Sequence, residues 1–302
     1  MTHASLSSTS AVIQTARGPF LLLTPVCVLA GAGATAAEGV PLNLLSLLLI
    51  FTGALCAHIS VNALNEYLDF RSGLDLHTRR TPFSGGSGAL PSHPQMAAAV
   101  LAFGIITLTI TILIGFYFLW LGEYGLLPLG IIGVVIIVSY TRQLNKSPWL
   151  CLIAPGTGFG LAMAAGSGYA LGASDSPTLW MSALVPFFLV NNLLLLNQYP
   201  DIDADKAAGR FHFPIAYGVV RSTQMYALFL LASAAVIVLS VMMGWFPSWS
   251  LLALLPLVLG VIAWQGARKL GDKIGEQPQF MAANVGATLL TPAVLGLSLL
   301  LG

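Results

Sequence analysis

Five of the eleven acidic residues fall in two short stretches, and each stretch is entered by an asparagine one helical turn earlier. Asn65 precedes Asp69, with Asp75 beyond it; Asn197 precedes Asp201, with Asp203 and Asp205 beyond it. His58, Asn62, Asn65 and Asp69 share one stripe of a helix, as do Asn197, Asp201 and Asp205. Clustered carboxylates with amide oxygens and no cysteine suit a hard cation such as magnesium, which takes few protein ligands and keeps positions for phosphate oxygens. Near the acids stand Arg79, Arg80, Arg142, Lys146, Lys206 and Arg210, enough to neutralise a polyphosphate once metal is bound. The bland alternative is a solvated acidic face with ordinary helix-end electrostatics. It gives no reason for two parallel Asn-x3-Asp elements.

The elements that carry these residues must lie in a bilayer. The 302 residues are 57% hydrophobic and 8% charged, against about 25% charged in a soluble domain. Lys+Arg 12 against Asp+Glu 11 leaves a net charge of +1, so no basic field exists to hold nucleic acid. A helix needs about 20 apolar residues to cross the hydrocarbon core. On that measure the chain offers nine spans, near 18–37, 43–68, 95–121, 124–141, 150–172, 177–198, 220–244, 248–266 and 280–301. The expected fold is an all-α polytopic bundle forming one domain over 1–302, with a flexible cytoplasmic leader over 1–16. The two Asn-x3-Asp elements lie 132 residues and four spans apart, as if two four-helix units were joined and a ninth helix added. Amides and carboxylates in a membrane helix are costly unless they face a cavity or a partner. The two stripes, ending at the same membrane face, converge on one site.

Charge sets the orientation. With the N-terminus inside, the inner segments hold all 12 basic residues, and the outer loops carry only Glu38, Glu123 and Asp175; this is the positive-inside pattern. It places the active-site loops in the cytoplasm of a bacterial-type inner membrane and the C-terminus on the opposite side. The run after Arg17, with Ala34-Thr35-Ala36-Ala37, superficially suggests a cleaved signal, but no positive cluster precedes it and it is long enough to span. Cys27, Cys56 and Cys151 lie in apolar stretches without metal-ligand spacing.

Asn65-x3-Asp69-x5-Asp75 and Asn197-x3-Asp201-x3-Asp205-Lys206-x2-Gly209-Arg210 resemble the two aspartate-rich motifs of the UbiA superfamily of intramembrane prenyltransferases. The nine-span pattern matches as well. The first motif's wider spacing, and Arg17-Gly-Pro-Phe with Thr24-Pro25, are similar to the branch that prenylates dihydroxynaphthoate in menaquinone synthesis. The resemblance implies magnesium-dependent transfer of a polyprenyl group from its diphosphate to an aromatic quinone precursor, with two magnesium ions arriving with the diphosphate. Asn65, Asp69 and Asp75 would serve one ion, and Asn197, Asp201 and Asp205 the other. Arg210 and Lys206 would join Asp69 and Asp201 in the chemistry, with Tyr140 near the reacting ring. Arg17, Asn65, Asn197, Arg79, Arg80, Arg142 and Lys146 would bind substrate. The chain departs from the family in Arg210-Phe-His-Phe-Pro, and it lacks a Gly-Leu-Gly-Glu run after Tyr140. Those departures leave the acceptor open, including a non-quinone lipid.

Gly85-Gly-Ser-Gly88 has no preceding strand and no P-loop ending, and reads as a flexible segment over the site. A secondary transporter would instead gather ionisable residues near the bilayer midplane, where this chain is almost bare. Oligomeric state is not legible. The charge pattern predicts that a C-terminal reporter is active on the non-cytoplasmic side; a cytoplasmic C-terminus would mean that a span has been miscounted.

Overall fold

The computed structural model describes the chain apart from residues 1–7, 78, 79 and 82. The described residues form helices and connecting turns and no strand. In chain order the α-helices are α1 (Ser8–Gln14), α2 (Leu23–Ala37), α3 (Leu44–Ser72), α4 (Leu74–His77), α5 (Ala89–Ser92), α6 (Ala97–Trp120), α7 (Leu126–Ser139), α8 (Pro148–Gly156), α9 (Gly166–Ala170), α10 (Pro177–Asn197), α11 (Ile202–Ala207), α12 (Phe213–Met242), α13 (Leu257–Leu270) and α14 (Pro278–Leu301). A π-helical stretch, Thr157–Ala165, joins α8 to α9 in one rod. Among the described residues, eight helical stretches are long and apolar enough to cross a membrane. The fourth expected span is the short one: α7 has 14 residues, about 21 Å of helix, less than the ~30 Å hydrocarbon core.

Local chemistry starts these helices where the sequence demands. The Asn43 side chain accepts from Ser46 N at 3.0 Å at the start of α3. Ser176 accepts from Leu179 N at 3.1 Å ahead of Pro177 in α10. Burial then ranks the helices. α10 is the central one, packed against α2, α8, α12, α14 and the π-helical stretch. A buried polar chain ties three of them together. Asn192 donates to the Tyr226 carbonyl at 2.9 Å, the Tyr226 hydroxyl donates to Asn284 Oδ1 at 2.8 Å, and Asn284 Nδ2 donates to the Asn192 carbonyl at 3.3 Å. In lipid, where apolar contact alone gives helices little reason to associate, such bonds and close packing hold a bundle together.

Three boundaries differ from expectation. Over 8–16 the expected leader is packed on the bundle: α1 lies against α5 and α6, and Ala11, Thr15 and Ala16 are buried. Its apolar side has the cluster of Ala63, Leu90 and Val100 to cover, with Val12 packed against it. The seventh span begins at Phe213, seven residues early, because the chain stays helical on both sides of a break at Gly218. Arg268, Lys269 and Lys273, expected in a loop, ride on helical backbone that continues to Glu276; two of these cations occupy the last turn of α13, where the helix dipole favours them.

α2 lies backbone to backbone against the fifth-span rod. A Cβ added at Gly31 would run into the Ala164 carbonyl oxygen and sit 2.9 Å from Gly168 N. Gly31→Leu is therefore expected to destabilise by at least ~1–3 kcal/mol, seen as a lower thermal midpoint in detergent. Gly115→Ala, with nothing within 4 Å, should match wild type. Equal midpoints for the two variants would show that α2 is not packed this closely.

Candidate active site

A cavity of about 650 Å³ opens between α3, α6, α7 and the fifth-span rod. Its wall runs from Ile50 to Asp69 along α3, nineteen residues or about 29 Å, which is most of a bilayer core. The long part is apolar, lined by residues such as Ile50, Phe118, Leu126, Val134 and Ala162. The head is polar, and the ends of α3 and α10 both line it.

The head is a charge cluster. Asp69 stands in the last turn of α3, Asp75 on α4, Asp201 at the start of α11 and Asp205 within it. Arg210 joins the two motifs: its guanidinium bonds Asp69 Oδ1 and, at 2.8 Å, Asp205 Oδ1. His212 Nε2 takes the other Asp205 oxygen at 2.9 Å. Arg210 can turn back because α11 ends at Ala207 and Gly209 adopts φ +79°, after which Arg210 N bonds the Asp205 carbonyl at 2.9 Å.

Asp75 and Asp201 are left with excess negative charge. Burial, then the Glu66 and Asp69 carboxylates, push Asp75 up to about 7 against the pull of Arg17 and Arg80. Burial, then Asp205, push Asp201 up to about 7, although the Ser84 hydroxyl, Arg210 and the Gly85 backbone pull it down. Asp75 Oδ2 is buried without a hydrogen-bond partner among the described residues. No three His, Cys, Asp or Glu side chains among those residues form a ready-made cation cage. Magnesium needs none: it is commonly held by one or two carboxylates plus substrate phosphates. An orphaned carboxylate oxygen in an all-oxygen donor set fits that ion.

The expected residues divide cleanly. Asn65, Asp69, Asp75, Asn197, Asp201, Asp205, Arg210, Tyr140 and Arg17 all line the cavity. Lys206, Arg142, Lys146 and Arg80 are exposed and do not line it. Lys206 follows Asp205 by one position, about 100° around the helix, and so faces outward when Asp205 faces in. Arg210 does not continue the helix of Lys206, because α11 ends at Ala207. Arg79 lies outside the described residues. Tyr140 sits beside Cys151, with 3.9 Å between hydroxyl and Sγ, and Asn65 donates to Thr141 Oγ1 at 3.0 Å.

Periodicity passed over four contributors. His212 offers no metal spacing, but its partner is a carboxylate seven residues back. Ser84 donates to Asp201 Oδ1 at 3.4 Å. Glu66, one position off the asparagine stripe, is 1% exposed. It accepts from Ser87 N at 2.6 Å and Ser87 Oγ at 2.8 Å and pairs with Arg17 Nε at 3.4 Å. Through Ser84 and Ser87 the glycine-rich segment is fastened across both motifs. Arg17 holds the left-handed conformation (φ 56°), the only non-glycine to do so among the described residues. That costs roughly 1–2 kcal/mol, and its guanidinium gains Glu66 and the Phe20 ring, 5.4 Å to the centroid.

An apolar gallery thus runs the depth of the helical bundle to a head of paired aspartates. The chain belongs to the UbiA prenyltransferase family, whose model matches residues 24–285, and it is a membrane prenyltransferase. It is 25% identical over 293 residues to the 1,4-dihydroxy-2-naphthoate octaprenyltransferase of Escherichia coli (strain K12), with 96% of this chain and 95% of that one covered. Its fold is similar to that of a UbiA homolog from Archaeoglobus fulgidus bound to DMAPP and Mg2+ (TM-score 0.69, 17% identity, 96% of this chain and 99% of that one). It is also similar to the fold of the apo UbiA homolog from Aeropyrum pernix K1 (TM-score 0.67, 16% identity, 89% and 96%).

The Glu66 bonds predict the behaviour of the segment above the head. Glu66→Ala removes both acceptors of Ser87, and charged hydrogen bonds contribute about 1.5–3 kcal/mol. Amide exchange over 86–89 should speed up about 10–100-fold in that variant. Unchanged exchange would mean that the segment is held elsewhere.

Proposed function

We propose that the enzyme transfers a polyprenyl group from its diphosphate to an aromatic quinone precursor, with Mg2+ binding the diphosphate at the cytoplasmic face of a bacterial-type inner membrane. The observation that carries this reading is the shape of one cavity: a carboxylate head continuous with an apolar gallery about 29 Å long. A diphosphate needs the first and a polyprenyl chain the second. The naphthoate octaprenyltransferase relative and the DMAPP- and Mg2+-bound structure support the same substrates.

Asp75 and Asp201 are the side chains best placed to hold Mg2+, with Asp69, Asn65 and Asn197 beside them. Bound Mg2+ would supply Lewis-acid stabilisation of charge on the leaving diphosphate. Arg210 contributes a fixed positive charge at the same point, held by two carboxylates so that little reorganisation is needed as the carbon–oxygen bond breaks. Arg17, which also lines the cavity, supplies a second cation. The apolar gallery keeps water from the allylic cation until the ring carbon attacks it; the ring then sheds the proton it carried at that carbon. Tyr140 lines the same cavity with its hydroxyl beside Cys151, and is assigned a place near the reacting ring.

In membranes supplied with Mg2+, a prenyl diphosphate and aromatic acceptors, Asp69→Ala and Asp201→Ala should each abolish most turnover while the protein stays folded and inserted. Arg210→Ala should lower kcat about 10²–10³-fold, more than it weakens diphosphate binding, as when one preorganised electrostatic donor is lost. Lys273→Ala should change little. Full activity in excess chelator would sink the metal role, and equal small effects of Arg210→Ala and Lys273→Ala would sink that of Arg210. Mass spectrometry of the products decides between an aromatic and a glycerol-lipid acceptor.

A further inference from the structure

Below the carboxylate head, most polar groups on the cavity wall are bonded to the bundle itself. Asn62 donates to the Ala16 carbonyl at 2.9 Å, Thr111 to the Gly53 carbonyl at 2.9 Å and Ser167 to the Met163 carbonyl at 2.6 Å. His58 differs. It is 4% exposed, lines the cavity, and bonds through Nδ1 to Thr24 Oγ1 at 2.9 Å. Its ring is fixed a second time by the Phe159 edge, with centroids 4.6 Å apart and planes at 72°. Its Nε2 has no hydrogen-bond partner among the described residues.

The burial of Thr24 assigns the tautomer that the bond alone leaves open. Thr24 is fully buried and makes no other hydrogen bond among the described residues. Its hydroxyl proton is satisfied only by donation to Nδ1, because a buried donor left unpaired is costly. A neutral imidazole that accepts at Nδ1 carries its proton on Nε2. The result is one oriented N–H donor in an otherwise apolar stretch of wall, preorganised by two contacts that do not involve ligand.

A polyprenyl tail has no atom to accept that bond, and covering the donor with hydrocarbon would only cost energy. The diphosphate belongs at the carboxylates, and Asp69 lies eleven residues, about 16 Å, further along α3. The remaining molecule in the reaction is the aromatic acceptor. We propose that His58 Nε2–H donates a hydrogen bond to an oxygen of that acceptor, so that the substrate is an aromatic ring bearing a carboxylate, carbonyl or phenolic oxygen directed down the gallery, away from the diphosphate. This rests on the reading above that the acceptor is aromatic.

The test uses the full-length enzyme with Mg2+, geranyl diphosphate and 1,4-dihydroxy-2-naphthoate. His58→Leu should raise the KM for the naphthoate about 10–100-fold, the usual range for one lost buried hydrogen bond, and leave the KM for geranyl diphosphate within threefold. His58→Gln, which presents an amide N–H at similar reach, should stay within about fivefold of wild type for both. Should leucine prevent folding, Thr24→Val decides: freeing the tautomer should raise the naphthoate KM alone. An unchanged naphthoate KM in His58→Leu, or a loss as large in His58→Gln, would overturn the role of His58 and leave the aromatic reading standing. Wild-type enzyme that geranylates no oxygen-bearing aromatic would overturn that reading and the His58 role together.

Discussion

Four aspartates line the polar end of this cavity, the buried Glu66 is paired with Arg17 beside them, and two guanidiniums, those of Arg17 and Arg210, line the same end. At low dielectric such an excess of one sign is expensive. The surrounding structure is arranged to share that cost. Arg210 spans Asp69 and Asp205, Arg17 accepts an unfavourable backbone conformation to reach Glu66, and Ser84 and Ser87 bring hydroxyls from the glycine-rich segment. What stays unbalanced is Asp75 and Asp201, the two side chains to which the proposed function gives a divalent cation.

The same constraint shapes the bundle. Carboxylates can sit at a membrane face only if helices end there, and α3 stops at Ser72 and α10 at Asn197, each just at its aspartates. The spans that hold them in place are of two kinds. α10 sits at the centre, fastened by the Asn192–Tyr226–Asn284 chain. α7 is short and lines the gallery instead, with Gly130 and Gly133 on the cavity wall. Rigid packing on one side and small residues on the other leave a channel in an otherwise close-packed interior.

Much of this is legible in the sequence. A hydrophobic run long enough to span is an additive signal, and eight of the nine expected spans are long enough in the structure. The aspartate pairs were legible because helical periodicity survives up to the helix end. Periodicity failed beyond that point. Gly209 reverses the chain, so Arg210 reaches the cavity and Lys206 does not. Glu66 and His212 were hidden for a related reason: their partners, Ser87 and Asp205, depend on loop geometry rather than on spacing along one helix.

If unbalanced carboxylate charge defines the metal site, cation binding should respond to both the carboxylates and the diphosphate. Mn2+ titration followed by paramagnetic resonance, with and without a non-reacting geranyl diphosphate analogue, reads this without relying on turnover. Wild-type protein should bind Mn2+ at least ~10-fold more tightly with the analogue present, because phosphate oxygens complete the ligand set. Asp75→Asn and Asp201→Asn should each remove that tight binding. Mn2+ affinity that is indifferent to the analogue and to both substitutions would contradict the site described here.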